Sequence, residues 1–275
     1  MPRIFDFGGR DVTRSQTVAG LRALKGNGRR VAQVTAETAD EAAAAEAAGI
    51  EMVICRAVNI GRVREGSKRV FVTAALGFAE LITADEILRG AFSAVTAGAD
   101  AVLTSRGSET VRMLANEQIP VVGHLGFVPR KSTWVGGVRG VGKTASEVSE
   151  LWDRFRRLED AGAFAVECEI IAAPVMAEIN RKTTLVTISL GSGPDADVVF
   201  LFTADICGEA PRRPRHARAW GNLADKQQAV RDERTRALTL FRQDVETGAF
   251  PSAGECVALP DAEVSRALEG LPPSA

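Results

Sequence analysis

The sequence predicts an α/β fold, a (β/α)8 barrel. Three observations point to it: eight short apolar and β-branched runs, helical patterns between most of them, and a unit in which a helix ends at glycine and a strand follows. Thr38-Ala39-Asp40-Glu41, Thr83-Ala84-Asp85-Glu86 and Thr144-Ala145-Ser146-Glu147 each read as a capping box. In such a box each side chain satisfies a free backbone N–H at the start of a helix. The helices they open run out at Gly49, Gly98 and Gly162, and strands follow at Ile50–Cys55, Ala101–Thr104 and Phe164–Cys168. Repetition of this unit marks a parallel α/β fold. The competitor is an open doubly wound sheet, which usually carries Gly-x-Gly-x-x-Gly after its first strand. Thr35-Ala36-Glu37-Thr38 stands there instead.

In chain order, residues 1–10 are a lead-in, and Asp11 to Leu24 has helical spacing through Val18, Leu21 and Leu24. Strands are predicted at 31–35, 50–55, 69–74, 100–104, 119–123, 163–168, 184–189 and 197–202. Helices are predicted at 38–48, 83–97, 108–117, 145–161 and 173–181, the last entered through Pro174, a favoured first-turn residue. Between strands two and three lie only Arg56 to Lys68, with four basic side chains and no helical pattern, so one crossover helix is predicted to be missing or vestigial. A long helix is expected from Asn222 to Glu246, stopped by Gly248, followed by a loose tail over 252–275. The whole of 1–275 reads as one barrel domain with these terminal additions.

Composition narrows the function classes. The chain has 275 residues, 45% of them hydrophobic, enough for a sizeable core. Its 34 basic and 35 acidic residues leave a formal net charge of -1, so no basic field calls for nucleic acid or an anionic membrane. No apolar run approaches the ~20 residues of a membrane helix. Cys55, Cys168, Cys207 and Cys256 are too far apart for a Cys-x-x-Cys pair, and free thiols suit a cytoplasmic location.

Barrel sites lie at the C-terminal ends of the strands. Val121 and Val122 form a buried strand that ends in Gly123-His124-Leu125-Gly126, which places His124 at that rim. The other strands deliver Thr35 and Glu37, Cys55 and Arg56, Thr73 and Ala74, Ser105 and Arg106, Glu167 to Glu169, Ser189, and Thr203 with Asp205. Glu169 closes an apolar strand, where desolvation would raise its pKa and suit it to act as a general base; the bland alternative is a salt-bridged rim residue. Gly191-Ser192-Gly193-Pro194 can turn backbone N–H groups toward an anion. Gly137 to Thr144 matches the phosphate-loop pattern, but no strand leads directly into it.

The segments Gly123-His124-Leu125-Gly126-Phe127-Val128-Pro129, Gly136-Gly137, Val141-Gly142-Lys143-Thr144 and Glu159-Asp160-Ala161-Gly162-Ala163-Phe164 resemble the ketopantoate hydroxymethyltransferase (3-methyl-2-oxobutanoate hydroxymethyltransferase) family. So do Gly191-Ser192-Gly193-Pro194 and Thr247-Gly248-Ala249-Phe250-Pro251, and the similarity runs in order from about residue 30 to 251. It implies a barrel of the phosphoenolpyruvate/pyruvate type and transfer of a hydroxymethyl group from methylenetetrahydrofolate to a 2-oxo acid. It also implies a homo-oligomer, since members are commonly decameric.

Residue by residue, the resemblance puts the family's general base at Glu169 and its active-site histidine at His124. The positions that match its Mg²⁺-site motifs hold Arg56-Ala57-Val58, Ala74, Leu103 and Ser105, and Glu37 replaces a tyrosine. Mg²⁺ is a hard cation held through carboxylates and substrate oxygens, so this sequence is expected to bind neither Mg²⁺ nor another metal. Arginine gained at Arg56 and Arg106 can grip a carboxylate in two places at once. The expected catalytic residues are therefore Glu169 and His124. Arg56, Arg106, Thr35, Ser105 and Ser189 are expected to bind a small anionic 2-oxo acid. Two readings stay open: a metal-independent enzyme working through an enolate, with methylenetetrahydrofolate as its only candidate co-substrate, or a non-catalytic paralogue that binds a small anion or a protein partner.

Overall fold

The computed structural model describes residues 3–269 and 271–272. Contacts divide the chain into two compact units, Met1–Trp220 and Gly221–Ala275, where the sequence reads as one domain.

The first unit is a closed barrel of eight parallel strands: β1 (Val31–Thr35), β2 (Met52–Arg56), β3 (Phe71–Ala75), β4 (Ala101–Leu103), β5 (Val121–Gly126), β6 (Ala165–Glu169), β7 (Val186–Leu190) and β8 (Val198–Leu201). They pair in sequence order, and β8 closes on β1. Side chains alternate along each strand. One set fills the barrel, including Met52, Ile54, Phe71, Val122, Ala165, Ile188 and Phe200. The other set, including Val53, Val72, Val102, Val121 and Val166, packs outward in a second core. Helices α4 (Ala84–Thr96) and α6 (Ala145–Asp160) supply that core with Ile87, Ala91, Leu151 and Phe155.

Local chemistry explains several helix starts. Thr38 and Thr83 form complete capping boxes on α2 (Ala39–Ala47) and α4. The third box is half made. Thr144 accepts from the Glu147 N–H, but the Glu147 carboxylate takes the Lys143 N–H at 2.8 Å instead of that of Thr144.

Several expectations are corrected. Asp11 to Leu24 is not one helix: Asp11–Val12 pairs with Ile4–Phe5 in a short ribbon, and only α1 (Val18–Arg22) is helical. The crossover between β2 and β3 is not helix-free, for it holds α3 (Ile60–Gly66). This helix escapes pattern reading because Arg64 lies in its buried face. The crossover with no helix is instead that between β7 and β8, which runs straight through residues 191–197. Helices α5 (Ser108–Asn116), α7 (Ala173–Lys182) and α8 (Thr203–Cys207) complete the first unit.

The second unit holds α9 (Leu223–Thr247) and α10 (Asp261–Glu269), so the stretch read as a loose tail carries a helix. Gly248, in the left-handed region at φ 75°, ends α9, and Phe250 folds back to place its ring 5.4 Å from that of Phe241. No described helix is long and apolar enough to cross a membrane.

At the N-terminal end of the barrel, Asp100 binds two arginines, Arg14 and Arg64, each at 2.6 Å. Arg64 also donates to the Gly98 and Val70 carbonyls, and Asp100 accepts the Val72 N–H at 2.8 Å. A buried charge stripped of a partner costs about 3–5 kcal/mol. Replacing Arg64 by alanine is therefore expected to destabilise the barrel by ~3 kcal/mol. A urea denaturation midpoint equal to that of the parent would refute this account.

Candidate active site

Strand pairing builds the site. β5 and β6 align with His124 opposite Glu167 and Gly126 opposite Glu169. Glu167 and Glu169 are two residues apart on one strand, so both point into the barrel mouth beside His124. His124 Nε2 and Glu169 Oε2 are hydrogen-bonded at 3.1 Å, and Glu167 Oε1 lies 4.0 Å from the same nitrogen. Both carboxylate side chains are about nine-tenths buried.

The loops hold this geometry. Gly126 has φ 86°, and a Cβ there would stand 2.2 Å from the Glu169 carbonyl oxygen. Only glycine allows that approach, which lets Phe127 N–H donate to the same oxygen at 2.8 Å. Directly after Glu169 the chain turns through Ile170 at φ 50°, a conformation that costs a β-branched residue about 1–3 kcal/mol. The neighbouring backbone locks the turn: Ile170 N–H donates to Leu190 O at 2.9 Å, and Val141 N–H donates to Ile170 O at 2.9 Å.

Electrostatics divides the three groups. Burial pushes the Glu167 carboxyl above the usual range, and the charge of Glu169 adds to this against the opposing effect of His124. Its Oε2 is buried without a hydrogen-bond partner. For His124, burial acts to lower the pKa. The Glu169 hydrogen bond, the Glu167 and Glu169 charges and the Phe127 backbone outweigh it, so the net shift is upward. Both shifts favour the protonated form over its ordinary balance, toward neutral for Glu167 and toward positive for His124. Such tuned groups can supply protons and charge to a reacting centre.

These groups line a cavity of 330 Å³ together with Thr35, Glu37, Cys55, Arg56, Ser105 and Arg130. Of the residues expected from sequence, Glu169, His124, Arg56, Thr35 and Ser105 therefore meet in one place. Arg56 is held by Glu37, whose carboxylate is 3.6 Å from its Nε and accepts its backbone N–H at 3.2 Å. Thr35 Oγ1 accepts from Thr203 N–H at 2.9 Å. The Cys55 thiol is pushed up to about 12 by burial first and then by Glu37, which excludes it as a nucleophile at neutral pH.

Two expected residues do not line the cavity. Ser189 donates to Gly193 O at 2.7 Å and accepts Ser192 N–H at 3.1 Å, so it shapes its own loop. Ser192 is buried and ties Ile171 N–H and Cys168 O together, bracing the end of β6. Arg106 turns its guanidinium to the Phe78 and Leu81 carbonyls. Its place at the cavity is taken by Arg130, which stacks 3.8 Å from the Phe78 ring centre.

Sequence reasoning missed Arg130 and placed Glu167 at the rim without giving it a role. The signal for Glu167 was present, because residues i and i+2 of a strand share a face. Arg130 had none: it sits in a short 3-10 turn, Pro129–Lys131.

The positions that match the Mg²⁺ motifs bring no carboxylate to the rims of β2, β3 or β4. His124, Glu167 and Glu169 do bring three ligand-capable atoms within 4.8 Å of one another. One nitrogen and two carboxylates, with His124 and Glu169 already hydrogen-bonded to each other, differ from the oxygen-rich set through which Mg²⁺ is usually held.

Residues 55–253 match the family described as Ketopantoate hydroxymethyltransferase. The 3-methyl-2-oxobutanoate hydroxymethyltransferase of Hyperthermus butylicus is 34% identical over 264 residues, covering 86% of this chain and 89% of the relative. That of Thermobifida fusca is 31% identical, covering 88% and 94%. Among solved structures, 2,3-dimethylmalate lyase, a member of the PEP mutase/isocitrate lyase superfamily, superposes with a TM-score of 0.50 at 13% identity, over 94% of this chain and 95% of that one. At that identity the likeness concerns the fold.

The upward shift of His124 is directly measurable, since the chain has only one other histidine, His216. Its imidazole proton resonance is expected to titrate above the ordinary value of about 6.5. In Glu169→Gln the midpoint should fall. A midpoint at or below the ordinary value in the parent protein would contradict the ion-pair geometry.

Proposed function

The chain belongs to the ketopantoate hydroxymethyltransferase family, and from that premise we propose that it forms or cleaves a carbon–carbon bond beside the carbonyl of a 2-oxo acid, through an enolate and without a metal. The observation that carries this reading is the cluster of His124, Glu167 and Glu169, with one carboxyl pushed toward its neutral form and the histidine toward its charged form.

The substrate carboxylate would lie between Arg56 and Arg130, both in the wall of the cavity. A guanidinium binds such a group through two parallel hydrogen bonds. Glu169 takes the proton from C3. The electron pair moves onto the keto oxygen, where the Glu167 carboxylic acid stands ready to donate and the His124 imidazolium, its Nε2–H held by Glu169, places a positive charge nearby. A carboxyl kept neutral by its surroundings is an effective donor to an enolate oxygen. These groups take over the charge stabilisation that a metal supplies elsewhere, and each donor of this kind is worth ~10²–10³ in rate. The enolate carbon then attacks the carbonyl carbon of a one-carbon unit at the formaldehyde level, whose C=O π pair becomes the hydroxymethyl oxygen and takes the proton held by Glu169. The family resemblance supports methylenetetrahydrofolate as its carrier, from which release breaks two C–N bonds and consumes one water, its two protons going to the two nitrogens.

The test is exchange of the C3 hydrogen of 3-methyl-2-oxobutanoate in D₂O, followed by NMR. Exchange should be enzyme-dependent, insensitive to EDTA, and lowered about 10²-fold or more in Glu169→Gln and in Glu167→Leu, which removes the donor. The rate should fall as pH rises through the His124 pKa, because only the protonated form carries the positive charge that stabilises the enolate. That limb is expected above pH ~6.5, given the upward shift. Exchange unchanged in Glu169→Gln would refute the base assignment. Loss of exchange in EDTA would refute the metal-free route, and no exchange under any condition would favour a non-catalytic paralogue.

A further inference from the structure

A second cavity, of 190 Å³, adjoins the first. The two share Ser105, His124 and Val128 in their walls, so they meet at the proposed reacting centre. Four cationic side chains line the second cavity, Arg106, Lys131, Arg154 and Arg157, and none of its described lining residues is acidic.

These cations differ in how far they are already committed. Arg106 is held by the Phe78 and Leu81 carbonyls, which fix its position. Lys131 lies 5.5 Å from the Trp134 ring. Among the described residues, the guanidinium groups of Arg154 and Arg157 make neither a hydrogen bond nor a salt bridge. Arg154 is half-buried on α6, where its surroundings lower its pKa. Burial is the main cause; attraction to Glu150, in the neighbouring pocket, is opposed by the like charge of Arg157. A partly desolvated cation without a hydrogen-bonded counter-ion is unfavourable, and an anionic group would relieve it. The first residue of α5, Ser108, also lines this cavity, and its cap residue Gly107 makes no side-chain hydrogen bond to the helix. Thr110 N–H in that turn is already taken by the Gly107 carbonyl, so the cations, rather than the helix start, carry the positive potential.

We infer that this second cavity holds the anionic end, carboxylate or phosphate, of a second ligand whose other end reaches His124. The reaction then has two anchors, with the 2-oxo acid on Arg56 and Arg130 and its co-substrate on Arg154, Lys131 and Arg157. The meeting of the two ligands at His124 rests on the enolate reading above; the anion site itself does not.

The experiment is calorimetric titration of the full chain at low salt with inorganic phosphate and, separately, with citrate. Saturable binding of one or both is expected, with tighter phosphate binding assigning a phosphate-bearing ligand and tighter citrate binding a polycarboxylate. Arg154→Gln and Lys131→Gln should each weaken it about tenfold, as expected for a lost charged hydrogen bond. Arg181→Gln, an exposed charge on α7, should leave it unchanged. Thermal melting of each variant checks folding, and the exposed Lys131 carries the test if Arg154→Gln fails to fold. Absence of saturable binding, or parent-like affinity in both pocket variants, would overturn the inference. C3 exchange without anion binding would leave the enolate site standing and remove this one, whereas anion binding without exchange would do the reverse.

Discussion

The in-register pairing of β5 with β6 is the constraint on which the site depends. It sets His124 against Glu167 and Gly126 against Glu169. A shift of one residue would turn both glutamates out of the barrel and into the helical layer. The close approach of Gly126 to the Glu169 carbonyl, the turn at Ile170 and the brace through Ser192 all secure the same two strand ends. Three ionisable groups are thereby buried within reach of each other, an arrangement that only a stiff scaffold can hold against the preference of charges for water.

The interior below the site is unusually polar. Gln33 and Thr73 share with Glu167 the inward face of their strands, and all three have buried atoms without hydrogen-bond partners. Such groups weaken a core, as expected near a site where local rules give way to function. Stability is supplied elsewhere. At the opposite end of the barrel Asp100 ties Arg14, Arg64 and the start of β3 together, and outside it the helices cover the strands with aliphatic and aromatic side chains. The barrel thus separates a binding end from a bracing end, as the fold allows.

The cavity wall carries basic groups, Arg56 and Arg130, and the ends of β2 to β4 bring it no carboxylate. Glu37 steadies Arg56 and the turn that follows, where Asn59 donates to it at 2.6 Å. In the reading favoured here, a neutral carboxyl and an imidazolium stand where a metal would otherwise neutralise the enolate.

Much of this was legible in the sequence, because it depends on local rules. Capping threonines, terminal glycines and β-branched runs encode helix starts, stops and strands, and their repetition implied the barrel. The glycines around His124 marked a strand end, and Glu169 stood at another. What the sequence could not decide depends on groups distant along the chain. Arg64 reads as solvent-facing until Asp100 and two carbonyls are brought to it by folding, which hid α3. Arg106 and Arg130 carry the same charge and both flank Phe78, yet only the loop around residues 78–81 determines which one faces the cavity. The pairing of Glu167 and Glu169 with His124, and the protonation states that follow, arise from strand register and burial, which are properties of the closed barrel alone.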